Sequence, residues 1–152
     1  MLKFKIFNPE NGPDSNQTTH IVDFLFEHLQ EFGDSKSDIE KCVDYAVKKS
    51  PSFGGFVLVG YLEEVIAGIV IINQTGMKGY IPENILVYIA THKDHRGKGL
   101  GKQLMKKAIE MADGDVALHV EPNNPARFLY EKLGFASKYL EMRYKAEDIS
   151  NK

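Results

Sequence analysis

Apolar residues recur along this chain with two periods, and the switches between them mark out its elements. Residues 2–7, Leu2-Lys3-Phe4-Lys5-Ile6-Phe7, read as a first strand. Pro9, Gly12, Pro13, Asp14 and Ser15 then supply loop chemistry. Ile21, Val22, Leu25, Phe26 and Leu29 return at helical spacing, which predicts a helix over 18–32, ended by Gly33. Ser37, with Glu40 three residues on, reads as a capping box for a second helix that buries Ile39, Val43, Ala46 and Val47 and stops at Ser50-Pro51. Strands are expected over 53–62 and 65–73, with the turn at Glu63-Glu64, followed by a loop over 74–82. A strand over 85–91 precedes a helix over 99–112, whose buried stripe is Leu100, Leu104, Ala108 and Met111. A short strand over 116–120 leads to a helix over 125–133, with Pro125 in its first turn and Gly134 as a Schellman-type stop between Leu133 and Phe135. One or two terminal strands are expected over 135–144, and 147–152 reads as a frayed tail. No repeat or linker interrupts 1–146, so a single domain is expected, an α/β (α+β) mixed sheet with helices on both faces.

Composition narrows the classes. The chain has 152 residues, 43% hydrophobic and 26% charged, in the range of ordinary globular domains. A net charge of -2 gives no reason to expect nucleic-acid binding. Positive charge is local: Lys93, Arg96, Lys98, Lys102, Lys106 and Lys107 gather in one stretch. Cys42 is the single cysteine, so no intrachain disulfide forms, and its helical spacing reads as a packed thiol. The first residues lack the apolar core of a signal peptide, and the apolar run 65–72 is too short to span a bilayer. A cytoplasmic protein without membrane contact is the expectation.

Chemistry concentrates in Arg96-Gly97-Lys98-Gly99-Leu100-Gly101, between the apolar run ending at Ala90 and an amphipathic helix. Glycines let a backbone approach an anion, and the first amides of a helix have no internal partner. The helix dipole adds favourable potential there. A nucleoside-triphosphate loop fails, because Gly101-Lys102 is followed by Gln103 and Arg96 stands where the first glycine belongs. The dinucleotide fingerprint fails at Lys102, where its third glycine would fall. Taken alone, this glycine run is also compatible with a flexible loop.

Arg96-x-x-Gly99-x-Gly101, followed by Asn123-x-x-Ala126-x-x-Leu129-Tyr130 and Leu133-Gly134-Phe135, resembles the GNAT superfamily of acyl-CoA-dependent N-acetyltransferases. The resemblance is sharp over 85–135 and loose over the rest. It implies a mostly antiparallel sheet of about six or seven strands, in which the fourth carries a bulge and splays from the fifth. It implies that Ile89 and Thr91 offer main-chain bonds to pantetheine, and that Arg96, Gly97, Lys98, Gly99, Leu100, Gly101 and Lys102 wrap the diphosphate. Asn123 matches the asparagine beside the pantetheine arm and can also cap the next helix, two roles that are compatible. Tyr130 matches the tyrosine that serves the departing thiolate as general acid. Acetyl-CoA is the implied co-substrate and a primary amine the acceptor, a small molecule first, with a peptide N-terminus, a protein lysine or a non-catalytic acyl-CoA sensor as alternatives. A monomer or homodimer, with no metal, is expected.

The strand positions where many relatives carry a general base hold Ile85 and Val87. Glu83, Glu121 and His119 lie nearby, and a water relay or an amine arriving neutral are further routes. The acidic residues Asp23, Glu27, Glu31, Asp34, Asp38, Glu40 and Asp44 of the first two helices would attract a cation, or simply form solvated faces.

Overall fold

Strands β1 (Lys3–Phe7), β2 (Gly55–Leu62), β3 (Val65–Gln74), β4 (Asn84–Thr91) and β5 (Val116–Leu118) form one sheet in that order. The computed structural model describes residues 2–146, so the expected frayed tail at 147–152 lies outside the described residues. β1 through β4 pair antiparallel, and β5 joins β4 in parallel. Val57, Leu58 and Val59 of β2 and Ile69, Val70, Ile71 and Ile72 of β3 are all 0% exposed. Such unbroken apolar runs belong to strands covered on both faces.

The cover comes from four helices. α1 (Ser15–Leu29) and α2 (Lys36–Ala46) pack on one face through Ile21, Leu25, Ile39 and Val43, against Val57, Ile69, Ile71 and Tyr88. α3 (Leu100–Met111) and α4 (Ala126–Lys132) pack on the other face through Leu100, Leu104, Met105 and Tyr130, against Leu58, Val70, Ile72 and Leu86. Gly60 and Gly68 let α3 come close. A Cβ at Gly68 would stand 2.3 Å from Leu104 Cδ1, and one at Gly60 would stand 3.2 Å from Leu104 Cδ2. Leu104 therefore seats in a notch of two bare backbones, which fixes the helix that follows the glycine turn.

Several expectations need correction. Among the described residues the sheet has five strands, not six or seven. No strand forms over 135–144 among the described residues, although Leu140, Met142 and Tyr144 alternate with charged residues. Those three are 88%, 88% and 90% exposed. Alternation makes a strand only where a ladder partner and a face to bury are present, and the β5 edge offers just three residues. α1 starts earlier than expected because Asp14 and Gln17 form a reciprocal capping box: Asp14 Oδ1 accepts from Gln17 N at 2.7 Å, and Gln17 Oε1 accepts from Asp14 N at 3.0 Å. The cap of α2 is Ser35, not Ser37; its Oγ accepts from Asp38 N at 3.2 Å. The stop after α4 is as expected. Phe135 N donates to Tyr130 O and Gly134 N to Glu131 O, with Gly134 at φ 103, and the Tyr130 and Phe135 rings meet at 6.1 Å.

Candidate active site

β4 has two different edges. Toward β3 it pairs from Asn84 to Thr91, with one irregularity: Ile71 faces Tyr88 and Ile72 faces Leu86, so Val87 bulges out. Toward β5 it pairs only from Asn84 to Leu86. Bulge and divergence thus meet at one point. Beyond it, His92 N donates to Ala67 O at 2.8 Å. Main-chain groups alternate sides along an antiparallel strand, so those of Ile89 and Thr91 face away from β3, into the gap.

The turn that follows leaves a row of donors unspent. The N–H groups of Gly97, Lys98, Gly99, Leu100, Gly101 and Lys102 donate to nothing among the described residues; the first amide engaged is Gln103 N, which reaches Gly99 O at 3.2 Å. Gly97 and Gly99 sit at φ 80 and 77, and a Cβ at either would meet nothing within 4 Å. Left-handed backbone explains both glycines. Gly101 has a different reason: it is helical, and a Cβ there would stand 3.2 Å from Leu129 Cδ2. Its bare backbone lets α4 lie against α3.

The basic residues divide. Arg96 Nη2 donates to the carbonyl of His28 at 2.8 Å, so its guanidinium is turned toward the end of α1. Lys98 Nζ lies 3.3 Å from His95 Nδ1. Lys102 is exposed and makes no ion pair among the described residues. Their summed positive potential lies beside amides already pointing outward, which makes the turn fit for an anion.

Tyr130 shares its packed cluster with Leu86, the last β4 residue paired to β5, and with Leu100 at the start of α3. It is 7% exposed, and burial pushes its phenol up to about 12. Its hydroxyl makes no hydrogen bond among the described residues. Asn123 is exposed and likewise free of side-chain bonds among them; the local turn bond belongs to Asn124, whose Oδ1 accepts from Ala126 N at 2.9 Å. A helix-capping role for Asn123 is therefore not what the structure shows.

The base candidates also sort. Glu83 Oε1 accepts from Asp115 N at 2.8 Å and Glu83 Oε2 from Gly79 N at 3.0 Å. These backbone donors hold its carboxyl below the usual glutamate range, so Glu83 is a clasp for the start of β5. His119 and Glu121 are exposed, just past β5. Cys42 is buried, which pushes its thiol up to about 12. Among the described residues no group of three His, Cys, Asp or Glu side chains could hold a metal. Concavities of about 230 and 420 Å³ lie elsewhere, and neither is lined by the turn or by α4.

A family model, Acetyltransferase (GNAT) family, matches residues 16–135. The chain belongs to the GNAT acetyltransferase family. The GNAT match takes in α1, β2 to β5, the glycine turn and α4, and begins after β1. Human Cysteine-rich protein 2-binding protein is 31% identical over 111 residues, which are 72% of this chain and 13% of that protein. The chain thus aligns to about an eighth of its curated relative. Among solved structures, an aminoglycoside N-acetyltransferase in complex with CoA superposes with a TM-score of 0.69 at 13% identity, covering 97% of this chain and 96% of the other. A ribosomal-protein-alanine N-acetyltransferase from Brucella melitensis gives 0.62 at 18% identity, covering 96% and 99%. At these identities the likeness concerns the fold. GNAT enzymes use acetyl-CoA and act on amine acceptors.

The bulge expected in the fourth strand falls at Val87, a position the sequence did not mark. Sequence reasoning missed two features. The Tyr88 hydroxyl donates to Asp34 Oδ2 across 54 positions, a pairing no spacing announces. His28 stands out in retrospect as a polar residue on the apolar face of α1, four positions after Phe24.

Proposed function

We propose that this GNAT protein transfers an acetyl group from acetyl-CoA to a primary amine, a small molecule carrying a positive charge, by direct attack in a ternary complex. The observation that carries this reading is the run of undonated amides from Gly97 to Lys102 at the mouth of the gap between β4 and β5. Diphosphate oxygens fit those amides, and the two left-handed glycines leave open space for them. Ile89 and Thr91 then supply the strand-like main-chain partners along the gap, and exposed Asn123 lies free for the same arm. Acetyl-CoA brings an acyl group activated as a thioester.

The chain's own groups serve the charge that develops. A main-chain N–H of β4 near the Val87 bulge is placed to donate to the oxyanion. The amine lone pair forms the C–N bond, the C–S bond breaks, and the amine's surplus proton leaves to water. Tyr130 meets the departing thiolate. A phenol near 12 is a weaker acid than a thiol, whose ordinary pKa is about 8.5. It therefore keeps its proton and stabilises the thiolate as a hydrogen-bond donor, and solvent completes the protonation. With Glu83, just before β4, committed to backbone donors, no carboxylate base is assigned; the attacking amine enters neutral or loses its proton through water, and the acceptor's positive charge resides on another group. Asp34, held by Tyr88 and without an ion-pair partner among the described residues, supports a cationic acceptor.

Thiol release from acetyl-CoA across a panel of polyamines, aminoglycosides, amino acids and peptides tests the reading. Turnover with small cationic amines is expected. Saturable CoA binding without turnover would favour a sensor, and no heat with millimolar acetyl-CoA would end the proposal.

A further inference from the structure

We propose that His28 is a positioning residue for the cofactor loop: its neutral ring holds the loop's entry and its carbonyl holds the loop's arginine. This rests on the reading of the 97–102 turn as the diphosphate site. His28 lies in the last turn of α1, remote in sequence from that turn, and is 4% exposed. Its Nδ1 accepts from Lys93 N at 3.1 Å, and its backbone oxygen accepts from Arg96 Nη2 at 2.8 Å. Lys93 opens the single 3-10 turn Lys93–His95 that leads into Gly97. One residue thus grips both ends of the segment that aims the undonated amides. The ring is itself fixed, 4.5 Å from the Phe24 centroid and 4.2 Å from that of His92, which lies 5.3 Å from His95.

An acceptor at Nδ1 requires the tautomer with hydrogen on Nε2, and that nitrogen faces Glu27 Oε2 at 3.7 Å. Protonation would put a hydrogen on Nδ1 against the Lys93 N–H, donor against donor. It would also add charge among His92, Lys93 and Arg96 on the loop side, with His95 and Lys98 behind them; Glu27, on His28's own helix, opposes this, and the exposed Asp94 carboxylate lies 3.9 Å from His92 Nδ1. Burial, then His92, holds the ring below the ordinary histidine pKa of 6.5. A lowered histidine pKa favours the native arrangement while the ring is neutral. The clamp is therefore fully made at neutral pH and is lost as pH falls below 6.5 through the lowered value. Bulk electrostatics predicts the opposite sign, because added positive charge near the turn would tighten an anion.

Calorimetry with CoA on the full chain, from pH 8 to 5.5, separates these outcomes. His28→Asn places an amide oxygen near the position of Nδ1 and does not titrate; His28→Leu removes the acceptor. At pH 8 the Asn variant should bind CoA within about twofold of wild type and the Leu variant about tenfold more weakly, the worth of one hydrogen bond. Toward pH 5.5 the affinity of wild type relative to Asn should drop about fivefold or more. The ligand's phosphate titration is common to both proteins and cancels. Equal binding by the Leu variant at pH 8, or a flat or rising ratio, overturns the proposal. If wild type takes up no CoA, the functional reading fails, and the clamp is read without ligand by amide hydrogen exchange at Lys93. Protection in wild type and Asn but not in Leu supports it, and equal exchange in all three overturns it.

Discussion

β4 faces β3 on one side and the gap on the other. On the first side its main-chain groups are paired from Asn84 to Thr91. On the second, pairing ends at Leu86, and the undonated amides of 97–102 follow directly. The paired side is roofed by side chains with no exposure, such as Leu104 over Gly60 and Gly68. On the open side, Tyr130 packs in one cluster with Leu86, and its hydroxyl makes no hydrogen bond among the described residues. Stability and recognition draw on the same main-chain donors, and this fold separates them across a single strand. Changes on the paired side should alter unfolding and spare binding; changes on the open side should do the reverse.

The sharpest way to break this contrast lies under α3. Leu104→Ala empties a fully buried site and should cost about 2–5 kcal/mol in denaturant unfolding. At temperatures where the variant stays folded, its CoA affinity should match wild type within about twofold. A large affinity loss in the folded variant would show that the two sides are not separate.

Tyr130→Phe comes next. The ring keeps its packing against Phe135, so the melting midpoint should hold. If the hydroxyl stabilises the thiolate, kcat should fall about 100-fold with CoA affinity nearly unchanged. An unchanged kcat would return Tyr130 to the core and remove it from the reaction.

Gly99→Val tests the turn itself. A β-branched residue at φ 77 carries roughly 1–2 kcal/mol of strain, which the loop relieves only by leaving its geometry. CoA affinity should weaken about tenfold, by calorimetry, while unfolding barely moves. Gly101→Ala is the informative partner, since its Cβ presses on Leu129 and leaves the amides alone.

How much of this was legible follows the same division. Local chemistry was readable. Gly134 between Leu133 and Phe135 announced the stop of α4, and the paired strands showed in their β-branched runs. The glycine turn could be read as an anion device because left-handed backbone selects glycine. What could not be read depends on partners distant in the chain. Gly101 looked like a third member of the turn until Leu129 was found against it. Arg96 looked like a free cation until its guanidinium met the carbonyl of His28. Leu140, Met142 and Tyr144 carry a strand's pattern, but pattern does not provide a partner, and they stay exposed. That the fourth strand bulges followed from the family resemblance; that the bulge falls at Val87 is a property of register, which emerges only when both strands are laid side by side.

The smallest expected effect concerns the paired end of β4 and β5, just before their first pair, Asn84 with Val116. Glu83 holds Asp115 N, one residue before β5, and Gly79 N in the loop before β4. Both donors prefer the ionised carboxylate, which is why its pKa lies below the ordinary glutamate value of 4.5. A carboxyl depressed in the native state contributes stability above its unfolded pKa, and loses it as pH falls through the lower folded value. Glu83→Gln keeps the shape and one acceptor oxygen but loses the charge. At a half-buried surface position, it should lower the melting midpoint at pH 7 by only a few degrees, and the gap between variant and wild type should close as pH is lowered through 4.5 and beyond. Acetyl-CoA binding should change less than twofold, since the clasp lies at the paired end and the donors for the cofactor at the other. A gap that persists in acid would mean that Glu83 acts through packing rather than charge; a large loss of binding would mean that the width of the gap is set by the three residues of pairing it secures.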